Sequence, residues 1–234
     1  MIKGQVGGAG TGAEGLHVVS VRTAAYYAIQ YPETGLNQDT RSLVVLHGWG
    51  QSSASFVRKF ASLKHHNILV VAPQAPHQFY LDQTTRKVGF GWLTSFDRDR
   101  GVATAVTALD SIFREIEEAL GFPFVPVVLG FSQGVSMAWR YAAFGACPVA
   151  GVVACGGDFP ADVEAVLAAR GPVPTMLVHG TDDVIVPIAK GNAAECILAK
   201  LGYVPETLYF SGGHEVPEAL LTRLPTWMEM AAQT

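Results

Sequence analysis

Short apolar runs alternate with segments of helical spacing along most of this chain, and the alternation predicts its architecture. Residues 18–21 and 25–31 read as an early pair of strands turning near Arg22-Thr23, followed by a polar loop over 32–40. Ser42-Leu43-Val44-Val45-Leu46 has no polar alternation, which marks a buried strand. Residues 54–64 have helical spacing, 67–72 read as the next buried strand, and 102–120 as a long amphipathic helix stopped by Gly121 and Pro123. Val125-Pro126-Val127-Val128-Leu129 is another buried run, with a helix from Val135. Strands at 149–154, 173–178 and 206–210 then alternate with helices at 161–169, 189–201 and 217–231. From residue 42 onward this is the pattern of a mostly parallel central sheet with helices on both faces, joined by right-handed crossovers. No repeat, linker or insertion large enough for a lid domain interrupts it. Residues 78–100 show no firm periodicity but gather Phe79, Tyr80, Phe90, Trp92 and Phe96. Lying between two sheet strands, they are expected to wall an apolar groove at the edge where open α/β sheets bind ligands.

Composition narrows the class. Hydrophobic residues make up 49% of the chain against 15% charged, which excludes disorder and suits a sheet buried on both faces. One domain over residues 16–234 is expected, after a flexible glycine-rich segment at 1–15. That segment contains Gly10-Thr11-Gly12-Ala13-Glu14-Gly15, but a dinucleotide site needs such a loop between a strand and a helix, and here no strand precedes it. The net charge is −4 and no basic run exceeds a pair such as Arg86-Lys87, so nucleic acid is not an expected partner. Three scattered cysteines, Cys147, Cys155 and Cys196, fit neither a disulfide framework nor a zinc cluster. With no apolar leader after Lys3 and no run of membrane-spanning length, a cytoplasmic location is expected.

Gly130-Phe131-Ser132-Gln133-Gly134 sits where a buried strand meets a helix. A serine forced into that sharp turn projects its hydroxyl clear of the chain at the carboxyl edge of the sheet, which makes Ser132 a candidate nucleophile. A serine hydroxyl needs a base, and the base a third group to orient it. Of seven histidines, only His179 and His214 follow Ser132. His214, in the mobile-looking Ser211-Gly212-Gly213-His214 loop after the last strand, is the better base. The acid should lie past the 173–178 strand, where Asp182 and Asp183 are adjacent; in an extended turn only one can face His214, and Asp183 is preferred, with Asp158 past the preceding strand as a further rival. For a developing oxyanion, the amide after the nucleophile, that of Gln133, is one donor, and that of Trp49, in His47-Gly48-Trp49-Gly50, is the second. His47 is read as structural.

Taken in order, these pieces resemble the phospholipase/carboxylesterase family of α/β-hydrolases, the group that includes acyl-protein thioesterases. The likeness rests on Leu46-His47-Gly48-Trp49-Gly50, Ala72-Pro73-Gln74-Ala75-Pro76, the Ser132 pentapeptide, His179-Gly180 with Asp183 and Val186-Pro187, and Gly213-His214, over roughly residues 40 to 220. Gln51 stands where the family often carries Asp, and the 90–97 segment matches the family's acyl-site segment only loosely. The expectation is an α/β-hydrolase fold and a serine carboxylesterase using Ser132, Asp183 and His214, with no metal or organic cofactor. Its substrates would be small or lipid-like esters of short to medium acyl chains, held by Phe79, Phe90 and Trp92. An acyl-protein thioesterase or lysophospholipase is the alternative, and a non-hydrolytic ligand-binding protein on the same fold the alternative of another class. A homodimer is left open.

Overall fold

The computed structural model describes residues 17–232, so the glycine-rich segment at 1–15 and its Gly10–Gly15 motif lie outside the described residues. Among the described residues nine strands form: β1 Tyr27–Gln30, β2 Arg41–Leu46, β3 Ile68–Pro73, β4 His77–Asp82, β5 Lys87–Gly91, β6 Val127–Phe131, β7 Gly151–Cys155, β8 Thr175–Gly180 and β9 Glu206–Phe210. Seven make one sheet in the order β1-β3-β2-β6-β7-β8-β9, and β4 pairs with β5 in a separate hairpin. Among the described residues of the large sheet β1 alone runs antiparallel to its neighbour, and every other pairing there is parallel. The helices are α1 Ser53–Phe56, α2 Arg98–Leu120, α3 Gln133–Phe144, α4 Glu164–Arg170, α5 Ala189–Lys200 and α6 Glu218–Ala231.

The unbroken apolar runs are explained by what covers them. Along β2, Val44 and Leu46 face one core with α2 and α3, while Leu43 and Val45 face a second core with α6 and the segment after α1. Both sides of the strand are therefore dry, and neither side has room for a polar position. The edge strand β9 alternates instead between half-buried and exposed residues.

Three segments differ from the sequence pattern. Residues 17–26 form no regular structure, Val18, Val19 and Val21 are exposed, and only 27–30 pair, with β3 rather than with 18–21. A β-branched run becomes a strand only where a neighbour offers a hydrogen-bonding edge. Beyond α1, residues Val57–His66 continue as 3₁₀ rather than α-helix. The buried residues there are Val57, Phe60 and Leu63, and the segment is kinked at Phe60, whose φ of −99° and ψ of 17° leave the helical range. The stretch expected to lack periodicity contains the β4–β5 hairpin. Its turn is closed by Asp82 Oδ1, which accepts from the N–H groups of Thr84 and Thr85, with Arg86 at φ 53°. No Asn-Gly or Gly-rich pair marks it in the sequence.

Candidate active site

Ser132 links β6 to α3 with φ 55° and ψ −119°, a backbone conformation that costs a residue with a side chain and survives only where the surroundings enforce it. The enforcement is close packing at two glycines. A Cβ on Gly130 would stand 2.4 Å from the Gly134 carbonyl oxygen, and one on Gly134 would stand 2.1 Å from that of Leu46. The elbow is further fixed by the Ser132 N–H, which donates to the Cys155 carbonyl at 3.0 Å.

His214, in the loop after β9, meets Asp183, in the loop after β8. Its Nδ1 lies 2.7 Å from Asp183 Oδ2. An ionised carboxylate only accepts, so Nδ1 carries the hydrogen and Nε2 is left with a lone pair. The other carboxylate oxygen, Oδ1, accepts from the N–H groups of Ile185 at 2.9 Å and Val186 at 2.8 Å. Burial pushes the Asp183 carboxyl upward, yet the hydrogen bonds from His214, Val186 and Ile185 outweigh it and hold the group below the usual carboxylate range. His179 lies beneath: its Nε2–H donates to the Val186 carbonyl at 2.7 Å, and the same nitrogen is 3.7 Å from Asp183 Oδ2. The rivals lie elsewhere, Asp182 exposed beside Thr181 and Asp158 exposed and paired with Lys190 at 2.8 Å.

Ser132 and the His214–Asp183 pair converge at the carboxyl ends of β6, β7 and β8. Cys155, whose carbonyl holds Ser132, is followed by Gly156, where a Cβ would stand 3.4 Å from His214 Nδ1 and 3.6 Å from Asp183 Oδ2. The Phe131 ring, one residue before Ser132, lies 4.8 Å from the imidazole centroid. Among the described residues the Ser132 hydroxyl makes no hydrogen bond to His214; such contacts often tighten only when substrate is bound.

The amides of Gln133 and Trp49 have no acceptor among the described residues. That of Gln133 opens the first turn of α3, where helix geometry leaves N–H groups free and the dipole favours negative charge. Gly48 brings the neighbouring loop close, since a Cβ there would meet the Ser132 Cβ at 3.2 Å. Gln51, where the resemblance leads one to expect Asp, latches this loop: its Oε1 accepts the Gly48 N–H at 2.8 Å. His47 is fully buried below, with Nδ1 2.8 Å from the Gly48 carbonyl and Nε2 accepting the Ala75 N–H at 3.2 Å and facing the Gln74 amide at 2.9 Å. These partners suit a neutral ring and a structural role.

Burial lowers the His47 pKa below its ordinary 6.5, and its bond to Gly48 only partly opposes this. As pH falls past 6.5 the unfolded chain takes up the proton first, so stability is full above that value and is lost below it. Urea midpoints of wild type and His47→Gln, taken from about pH 8 to about pH 5.5, should therefore draw together as pH falls; a constant gap contradicts the assignment.

The aromatic residues divide. Phe79 is half-buried and stacks on the exposed Trp49 at 4.9 Å, and Phe90 is half-buried against the α2–α3 core. Trp92 does not wall a groove. It is 1% exposed, and its indole N–H donates to the His47 carbonyl at 2.8 Å, so it supports the loop that carries Trp49. The side chains of Gln51, Gln74 and Gln133 also shape the site, and no spacing in the sequence announces them.

A profile of the phospholipase/carboxylesterase family matches residues 28–231, and the chain belongs to that family of hydrolases. No curated protein matches it in sequence. Among solved structures, it is similar to esterase PE8, with 24% identity, a TM-score of 0.72, and coverage of 89% of this chain and 100% of that one. Acyl-protein thioesterase 2 of Zea mays matches at 19% identity and a TM-score of 0.67, covering 88% and 99%. The Bacillus cereus carboxylesterase matches at 16% identity and a TM-score of 0.66, covering 88% and 94%. At these identities the likeness establishes the α/β-hydrolase fold.

Proposed function

We propose that this protein is a serine carboxylesterase in which Ser132, His214 and Asp183 act as a triad. The observation that carries the reading is the 2.7 Å bond between His214 Nδ1 and Asp183 Oδ2, made beside the strained turn that presents Ser132. Ser132 Oγ attacks the ester carbonyl carbon while His214 Nε2 takes the hydroxyl proton. The carbonyl oxygen becomes an oxyanion received by the Trp49 and Gln133 amides. When the tetrahedral intermediate collapses, the carbon–alkoxide bond breaks and the imidazolium returns the proton to the leaving alkoxide. Water, deprotonated by the same nitrogen, then releases the acid and regenerates Ser132. Imidazole, carboxylate and two amides supply every proton and charge this sequence requires, so no metal or organic cofactor is called for.

Phe79 and Phe90 beside this rim favour small or lipid-like esters with short to medium acyl groups, and a cytoplasmic setting suits the three free cysteines. Among the described residues no helix is long and apolar enough to cross a membrane. Chromogenic esters of rising acyl length should give a maximum of kcat/KM at short to medium chains and a steep fall beyond. A rise continuing to long chains contradicts the chain-length reading. Matched thioesters and lysophospholipids in the same assay rank the leaving groups, and a pure ligand-binding protein turns over none of them.

A further inference from the structure

We propose that the side chain of Gln133 is a positioning element for the oxyanion hole, tying the nucleophile elbow to the β4–β5 hairpin. This rests on the triad reading above, in which the main-chain amide of the same residue receives the oxyanion. The side-chain amide bonds in both senses to consecutive main-chain groups just past β5: Oε1 accepts the Trp92 N–H at 2.8 Å, and Nε2–H donates to the Leu93 carbonyl at 2.9 Å. An amide is the side chain that offers one acceptor and one donor on a single plane, and here both are used.

The other donor is tied to the same hairpin. The Gly50 N–H, one residue past Trp49, donates to the Phe90 carbonyl at 2.8 Å, and the Trp49 ring stacks on Phe79 of β4. The Trp92 indole holds the His47 carbonyl from below. These ties meet at Gly91, where a Cβ would stand 3.3 Å from Trp49 Cδ1, 3.5 Å from Gln133 Oε1 and 3.5 Å from Phe79 Cε1. Trp49 lies in the loop after β2 and Gln133 opens α3 after β6; pairing of β2 with β6 brings the two segments together, and the hairpin that both grip adds a second tie that fixes the distance between their amides. Preorganised donors act on the transition state, and small misplacements of them are costly in rate.

The test uses Gln133→Glu and Gln133→Met in the intact chain, with thermal melts to establish folding. A protonated carboxyl reproduces the amide's pattern, accepting from Trp92 and donating its O–H to Leu93; an ionised one turns a second acceptor toward the Leu93 carbonyl. The ratio of Gln133→Glu to wild-type kcat should therefore rise, by about fivefold or more, as pH falls from about 8 to about 5.5, while the Gln133→Met ratio stays flat. Taking ratios removes the pH effects common to both enzymes. Gln133→Met should lose about 10- to 100-fold in kcat with KM within about twofold of wild type, because the oxyanion exists only in the transition state. A pH-independent Gln133→Glu ratio, or a Gln133→Met kcat within about threefold of wild type, overturns the proposal. Either result with activity still dependent on Ser132 leaves the triad reading standing; activity that survives Ser132→Ala removes that reading itself.

Discussion

Replacing Ser132 with alanine is expected to lower kcat toward acyl esters by about 10⁶-fold while leaving the protein folded. The rate loss follows from the proposed chemistry: without Oγ there is no acyl-enzyme, and what survives is the modest acceleration from binding and the two amides. Stability should be nearly untouched. The Ser132 hydroxyl has no hydrogen-bond partner among the described residues, so its removal strands no buried group. Alanine keeps the Cβ, so the φ of 55° is no more strained than before. Melting curves of the two proteins should differ by no more than about 0.5 kcal/mol in stability. Residual turnover within about a hundredfold of wild type would point to a different nucleophile.

Asp183→Asn is expected to cost about 10⁴-fold in kcat with little change in KM. Here the local geometry dictates the outcome. Oδ1 is held by two N–H donors, Ile185 and Val186, so the asparagine must place its own carbonyl oxygen there. Its NH₂ then occupies the place of Oδ2 and faces His214 Nδ1. A donor at that position is satisfied only if Nδ1 carries the lone pair, which moves the ring proton to Nε2. Nε2, the nitrogen proposed to take the Ser132 proton, is then already protonated and cannot act as base. Asp182→Asn and Asp158→Asn, whose carboxylates are exposed and face Thr181 and Lys190, should remain within about threefold of wild type. Comparable losses in all three contradict the assignment of the acid.

The parts of the fold legible in the sequence are those where one physical demand acts on consecutive residues. β2, β3, β6, β7 and β8 are dry on both faces, so their apolar runs are continuous and their positions can be read to within a residue or two. The elbow is legible for a similar reason, because at Gly130 and Gly134 a Cβ would collide with a neighbouring carbonyl, which leaves no room for any side chain. Choosing Asp183 over Asp182 used the alternation of side chains along an extended turn, and the two do part, one into the interior and one into solvent.

What stayed hidden depends on partners distant along the chain. The β4–β5 hairpin lies over the loop carrying Trp49 and is stabilised by contacts such as Leu81 against Gly50, so its own strands need no strong pattern. The 3₁₀ segment after α1 contains neither Gly nor Pro, so no residue type in it marks the kink at Phe60. Trp92 is an aromatic like its neighbours in the sequence, but a single bond from its indole to His47 takes it out of the groove and into the core. Gln51 and Gln133 do their work through main-chain partners, and main-chain partners leave no trace in residue type.

Activation of the Ser132 hydroxyl by His214 is the claim on which the rest depends, and a fluorophosphonate probe tests it most directly, with the modified residue located by peptide mass spectrometry. A single phosphonyl group on Ser132 is predicted, absent from Ser132→Ala and formed at least about 10³-fold more slowly in His214→Gln. A label on any other residue, or on Ser132 at an undiminished rate without the imidazole, contradicts the account.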